Sequence, residues 1–146
     1  MSDVIRKKIT SLPNFGQEID YDEMPVFTAE DYEDRIHRLF AATGQKYDYF
    51  LVYGDREHFS NMEYFSGYDP RFEESILLLS KTGKKYLIMG VEAATYAAKI
   101  PYKIQCEVYP PLSIPCYSNQ MSCGSNDSGV TLKDIFLKCG ISAQCE

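Results

Sequence analysis

The stretch GDREHFSNMEYFSGYDPRFEESILLLS, Gly54 to Ser80, gathers Asp, Arg, Glu, His and Asn at a density from which active sites are built. A metal hydrolase needs three or more ligands converging from fixed elements. His58 is the stretch's one histidine, and no second ligand follows it at the third or fourth position. A two-metal nuclease would need carboxylates gathered at strand ends. Asp48 and Asp55 flank one predicted strand, and Glu73 and Glu74 precede the next. Such positions are ordinarily solvated, and an acidic surface repels nucleic acid. A nucleophilic hydrolase needs a Ser or Cys on a sharp turn with a base in reach, and no Gly-x-Ser-x-Gly is present. KTGKK, Lys81 to Lys85, falls in a hairpin rather than between a strand and a helix, so it is no phosphate loop. Catalysis by this chain alone is therefore disfavoured.

The elements that must hold these residues belong to one domain-sized chain of 146 residues, 45% hydrophobic and 25% charged. A net charge of −6 excludes the basic face that nucleic acid or an acidic membrane demands. No apolar run reaches the length of a membrane span. The opening MSDVIRKKITSLPNF lacks the apolar core of a signal peptide, which makes the cytoplasm the expected location. The five cysteines are Cys106, Cys116, Cys123, Cys139 and Cys145, an odd count without a Cys-x-x-Cys pair. Reduced thiols are expected; zinc held by Cys116, Cys123, Cys139 and Cys145 is the disfavoured alternative.

Residues 1–26 read as a polar arm, either a solvated leader or a segment that lies on a partner subunit. Residues 27–146 read as the domain. VFTAEDYEDRIHRLFAATG carries a helix with its own signals: Thr28 and Asp31 as a capping box, Phe27 and Tyr32 as a staple, Gly44 as the stop. Tyr32, Ile36, Leu39 and Phe40 form its apolar stripe, and His37 lies off it, exposed or paired. YDYFLVYGD reads as a strand buried on both faces. REHFSNMEYFSG is a short helical segment ended by Gly67, with Asp55 a candidate cap and Asn61 a backbone satisfier. ESILLLS and YLIMG make a hairpin, VEAATYAAKIP a short helix and YKIQCEVYP a strand. Ser113 to Gly129 reads as a mobile loop. VTLKDIFLKCG repeats the first helix's grammar, with Val130 and Ile135 as staple, Thr131 and Asp134 as capping box and Gly140 as stop. After Gly140 only ISAQCE remains, which reads as a helix–strand unit whose strand is missing. The order predicts a three-layer α/β/α domain with a mixed sheet and helices on both faces.

LVYGDREHFSNMEYFSGYDPRFEESILLLS followed by GKKYLIMGVEA resembles the amino-terminal domain of the creatinase/prolidase/aminopeptidase P family. The resemblance rests on an early helix and strand, then Asn61, Tyr64, Phe65 and Gly67, then the strands around Leu78 and Leu87. It covers about Phe27 to Ile114 and is most like bacterial Xaa-Pro peptidase-like proteins. It implies a ribonuclease H-like topology without nuclease activity, and it puts the chemistry in a following pita-bread domain that holds two divalent metals. That domain is absent here, so no metal ligand and no catalytic residue carries over, and no cofactor is expected in this chain. The implied partners are the chain's own carboxyl-terminal catalytic domain and a second subunit in a homodimer, with no nucleic acid and no membrane. By position, the resemblance brings Tyr68, Arg71, Phe72 and Glu73 near substrate. Arg71 could clasp a peptide carboxylate, while its plainer role is to tie the loop through Asp69 or Glu74. The alternatives are a free-standing interaction module of the same fold and an independent metal-dependent hydrolase.

Overall fold

The computed structural model describes residues 26–71, 73–113 and 129–142. The elements run α1 (Ala29–Ala42), β1 (Tyr49–Gly54), α2 (Ser60–Ser66), β2 (Ser75–Ser80), β3 (Lys85–Met89), α3 (Ala94–Ala97) and β4 (Gln105–Val108). A 3₁₀ turn, Pro110–Leu112, and α4 (Leu132–Lys138) complete them. The four strands form one open mixed sheet in the order β1-β2-β3-β4. β1, β2 and β3 pair antiparallel, and β4 lies parallel to β3.

Every residue of β2 and β3 is buried, because alternate side chains enter two different cores. Leu77, Leu79, Leu87 and Met89 meet Tyr32, Ile36 and Phe40 of α1 and Met62 of α2. Ile76, Leu78, Tyr86 and Ile88 meet Leu112, Ile135 and Cys139 on the opposite face. Helices therefore cover both faces, the general three-layer α/β arrangement that the element order predicts.

The helix ends carry the predicted chemistry. Thr28 and Asp31 form a full capping box on α1, and Thr131 and Asp134 form another on α4. Gly67 ends α2 at φ 67°, a left-handed conformation that costs glycine least.

Two expectations need correction. β1 is an edge strand of the sheet, and Leu51 and Tyr53 stand exposed on the α4 face instead of lying buried. The residue that follows the short α4 meets the start of β1, where the Tyr49 hydroxyl donates to Cys139 O at 3.2 Å. The helix expected over VEAATYAAKIP is a single turn, Ala94–Ala97, whose cap residue Ala93 has no side-chain acceptor to extend it. The arm to residue 25, Phe72, most of the Ser113–Gly129 loop, and Cys116, Cys123 and Cys145 lie outside the described residues. Cys106 and Cys139 are free thiols.

Candidate functional site

Two neighbourhoods hold the chemistry-bearing residues of the Gly54–Ser80 stretch. The first is the turn that leaves β1. Asp55 Oδ1 accepts from the backbone N–H of Glu57 at 2.8 Å and of His58 at 2.6 Å. His58 Nδ1 faces the same oxygen at 3.0 Å, and the Tyr53 hydroxyl donates to Oδ2 at 3.1 Å. Desolvation works to raise the Asp55 pKa, but the bonds from His58, Glu57 and Tyr53 outweigh it and hold the carboxyl at about 2. The same environment, by desolvation and then the Asp55 bond, pushes the Tyr53 phenol up to about 12. Asp55 thus caps the turn before α2, whereas α2 itself begins at Ser60 with Asn61 exposed in its first turn.

The second neighbourhood follows Gly67. Tyr68 is buried, and its hydroxyl lies 3.3 Å from Ser75 Oγ. Desolvation pushes that phenol up to about 12. Arg71 is exposed and donates Nε and Nη2 to Asp69 Oδ2 at 3.2 and 3.1 Å, the local tie that its spacing allows. Glu73 is only 5% exposed, and its carboxyl reaches across to the β3–α3 loop. Oε2 accepts from Glu92 N at 3.2 Å and Oε1 from Ala93 N at 3.0 Å. Burial, then a hydrogen bond to the Glu92 side chain and its like charge, push the Glu73 carboxyl up to about 7. The same loop is held again by Val91 N donating to Ser113 Oγ at 2.9 Å. Tyr68, Arg71 and Glu73 thus line one narrow cleft with Glu92 and Tyr96, while Phe72 is outside the described residues. The cleft has a volume of about 10 Å³, room for a single water.

Sequence reasoning missed Glu92, which lines this cleft, and Gly90, against which the Glu73 carboxyl packs. The signal was the GVEA that follows β3, but nothing local ties it to Glu73. It also missed Arg35, whose guanidinium lies 4.2 Å from the Phe27 ring centre and 4.6 Å from that of Tyr64. Arg35 also donates to Tyr64 O at 2.8 Å, joining α1 to α2. A broader groove of about 490 Å³ opens beside Lys84, Lys103 and Lys138 near the start of β4. Among the described residues, no group of three or more His, Cys, Asp or Glu is placed to hold a metal ion. No helix among them is long and apolar enough to cross a membrane.

The fold and these contacts define a mixed α/β domain whose polar stretch is tied into its own backbone. In comparison with known proteins, the chain matches no family model and no curated protein.

Proposed function

We propose that this chain is a non-catalytic domain of the creatinase/prolidase amino-terminal type, ribonuclease H-like in topology. It serves subunit association and narrows the mouth of an active site carried by an adjoining Xaa-Pro peptidase-like metallohydrolase domain. The observation that carries this reading is how the polar residues of Gly54–Ser80 are used. Asp55 holds two amides of a turn, Arg71 is turned to Asp69, and Glu73 holds the β3–α3 loop. These are the contacts of a scaffold. The edge strand β1, whose own Leu51 and Tyr53 stand exposed, supports an associating role, since an open apolar edge strand is a surface for another chain. Tyr68, Arg71 and Glu73 line one cleft, and the resemblance implies that this segment is the one nearest substrate. Of these only Arg71 is exposed enough to reach a ligand outside the cleft.

The test is turnover of an Xaa-Pro dipeptide with manganese or cobalt. It is run on this chain and on this chain joined to whatever its reading frame encodes beyond Glu146. The expected result is cleavage by the joined protein alone. Cleavage by this chain alone overturns the proposal.

A further inference from the structure

The groove of about 490 Å³ beside β4 lies outside the Gly54–Ser80 stretch and draws its walls from three parts of the fold. Gly83 and Lys84 come from the β2–β3 turn, Lys103 and Gln105 from the entry to β4, and Lys138 from the end of α4. Its volume falls within the range of about 300–1,000 Å³ typical of small-molecule sites. The sheet register places its charges. Tyr86 pairs with Gln105 in the parallel β3–β4 ladder. Counting back two residues on each chain brings Lys84 alongside Lys103, at a strand spacing of about 4.8 Å. The two-residue step keeps both on the face where Tyr86 meets α4.

Like charges side by side on neighbouring strands repel unless something of opposite sign lies between them. Here the fold supplies nothing of that kind. Lys84 and Lys103 are both exposed, and among the described residues neither forms an ion pair. Lys85 lines the groove too, but its ammonium is given to Glu33 of α1 at 2.6 Å. Glu107 is the one carboxylate among the lining residues, and Lys138 holds it at 2.6 Å. An ammonium carries three donors, so Lys138 keeps others for a ligand. The groove is thus a concave basic surface on an acidic chain, with two cations left unmatched.

We infer that this groove binds a small anion bearing a diphosphate group, gripped by Lys84 and Lys103 and steadied by Lys138. The chemistry of the cations selects this class. An ammonium holds phosphate as a point charge, whereas a carboxylate is matched best by the planar fork of arginine, and no arginine lines the groove. Two unmatched cations, with a third that has donors to spare, suit the several charges of two linked phosphates rather than one. A nucleic-acid strand would lie across a chain of net charge −6 and be repelled by it. A small anion inside a groove responds chiefly to charges within a Debye length, roughly 10 Å at about 0.1 M salt. The site belongs to this chain alone and holds whatever domain adjoins it.

Isothermal titration calorimetry with inorganic pyrophosphate at low ionic strength tests this, with adenosine diphosphate in a parallel arm. Saturable binding of one anion per chain is expected. Lys84→Ala and Lys103→Ala should each weaken it about tenfold, the loss of one charge-assisted hydrogen bond, while Lys103→Arg keeps the charge and most of the affinity. Both lysines are exposed, so the variants should unfold at the wild-type midpoint without ligand. Pyrophosphate should then raise the midpoint of the wild-type chain and leave that of the Lys84→Ala/Lys103→Ala chain unmoved. The two arms separate the sources of a diphosphate group: the tighter probe is the better match, and both must lose affinity in the variants. Equal heats from sulfate at matched ionic strength, or binding that survives the double substitution, mean an adventitious ion only and overturn the site. Absence of binding by both probes overturns it as well.

Discussion

Gly90→Ala is the sharpest structural probe of the contact between Glu73 and the β3–α3 loop. The added methyl would lie 2.3 Å from Glu73 Oε2, 2.7 Å from its Cδ and 2.8 Å from Cα of Ser113. Unstrained contacts between carbon atoms sit at about 3.5–4.0 Å, so both neighbours must retreat by roughly an ångström. Ser113 is held in place, its N–H donating to Pro110 O at 2.9 Å and its Oγ accepting from Val91 N. Glu73, a side chain, yields the more readily, while the contact with the Ser113 backbone adds its own strain. Its retreat removes the acceptors of Glu92 N, which water can reach, and of Ala93 N, which is buried; the buried donor left unsatisfied costs about 1–3 kcal/mol.

One effect opposes this loss. The φ of Gly90 lies outside the left-handed region, so alanine fits the backbone there and stiffens the unfolded chain. That gain is about 0.4–1 kcal/mol. The expected net result is a loss of about 2 kcal/mol, a fall in Tm of roughly 4–8 °C for a chain of this size. Urea and thermal unfolding at pH 6 read it directly. In a Glu73→Ala background the same glycine substitution should cost at least about 1 kcal/mol less, because only the Ser113 contact remains. A Gly90→Ala variant as stable as the wild type, or more stable, refutes the close contact and the bridge built on it.

Three other perturbations have defined outcomes. Lys85 is buried with Nζ 2.6 Å from Glu33 Oε1 and 3.2 Å from Gly83 O, so Glu33→Ala leaves an ammonium with one neutral acceptor. The expected loss in chemical denaturation is about 2 kcal/mol, below the ~3–5 of a fully buried pair because Glu33 keeps part of its hydration. Arg35→Lys loses the flat guanidinium stacked on Phe27 and Tyr64, and unfolding should show a loss of about 1 kcal/mol; an unchanged midpoint counts against the α1–α2 tie. Asp55 responds to pH with a sign opposite to Glu73. Its lowered pKa makes the turn's stabilisation full above pH 3.8 and lost as pH falls through about 2. Amide exchange at Glu57 and His58 should accelerate over that window, and an Asp55→Asn variant should show no such step.

What the sequence revealed and what it hid divide along chain distance. Both capping boxes were legible because cap and responder stand three residues apart and act through one turn of backbone. The apolar runs of β2 and β3 on either side of a short Gly-containing turn revealed a hairpin for the same local reason. The apolar run of β1 misled, since aromatic and β-branched composition reports strand propensity and cannot tell a central strand from an edge one. Edge status depends on which strand pairs where, a non-local fact. The site divides in the same way. Arg71 and Asp69 stand two apart, and their pairing was foreseeable. Glu73 meets Gly90 and Glu92 only after β2 and β3 have formed their hairpin, so no pattern within the stretch announces that contact.

The density of Asp, Glu, Ser and His between Gly54 and Ser80 has a physical origin in how sharply the chain turns there. Between β1 and β2 it must leave a strand, make a short helix and return antiparallel to β1. Short elements leave a large share of their backbone donors unpaired, and each buried one needs an acceptor. Asp55 serves the first reversal. Ser66 Oγ serves the second, donating to Met62 O at 2.6 Å and accepting from Tyr68 N at 3.1 Å. Glu73 serves a third, in a loop that follows the next strand. Glu73 gives both carboxyl oxygens to backbone N–H groups, and Asp55 Oδ1 is shared by two. Each oxygen carries two lone pairs, so these bonds hold the turns without exhausting what the carboxyl can accept. Composition alone cannot reveal this use of the side chains. It emerges only when the partner of each oxygen is traced, and at Asp55 and Glu73 those partners are the amides of turns.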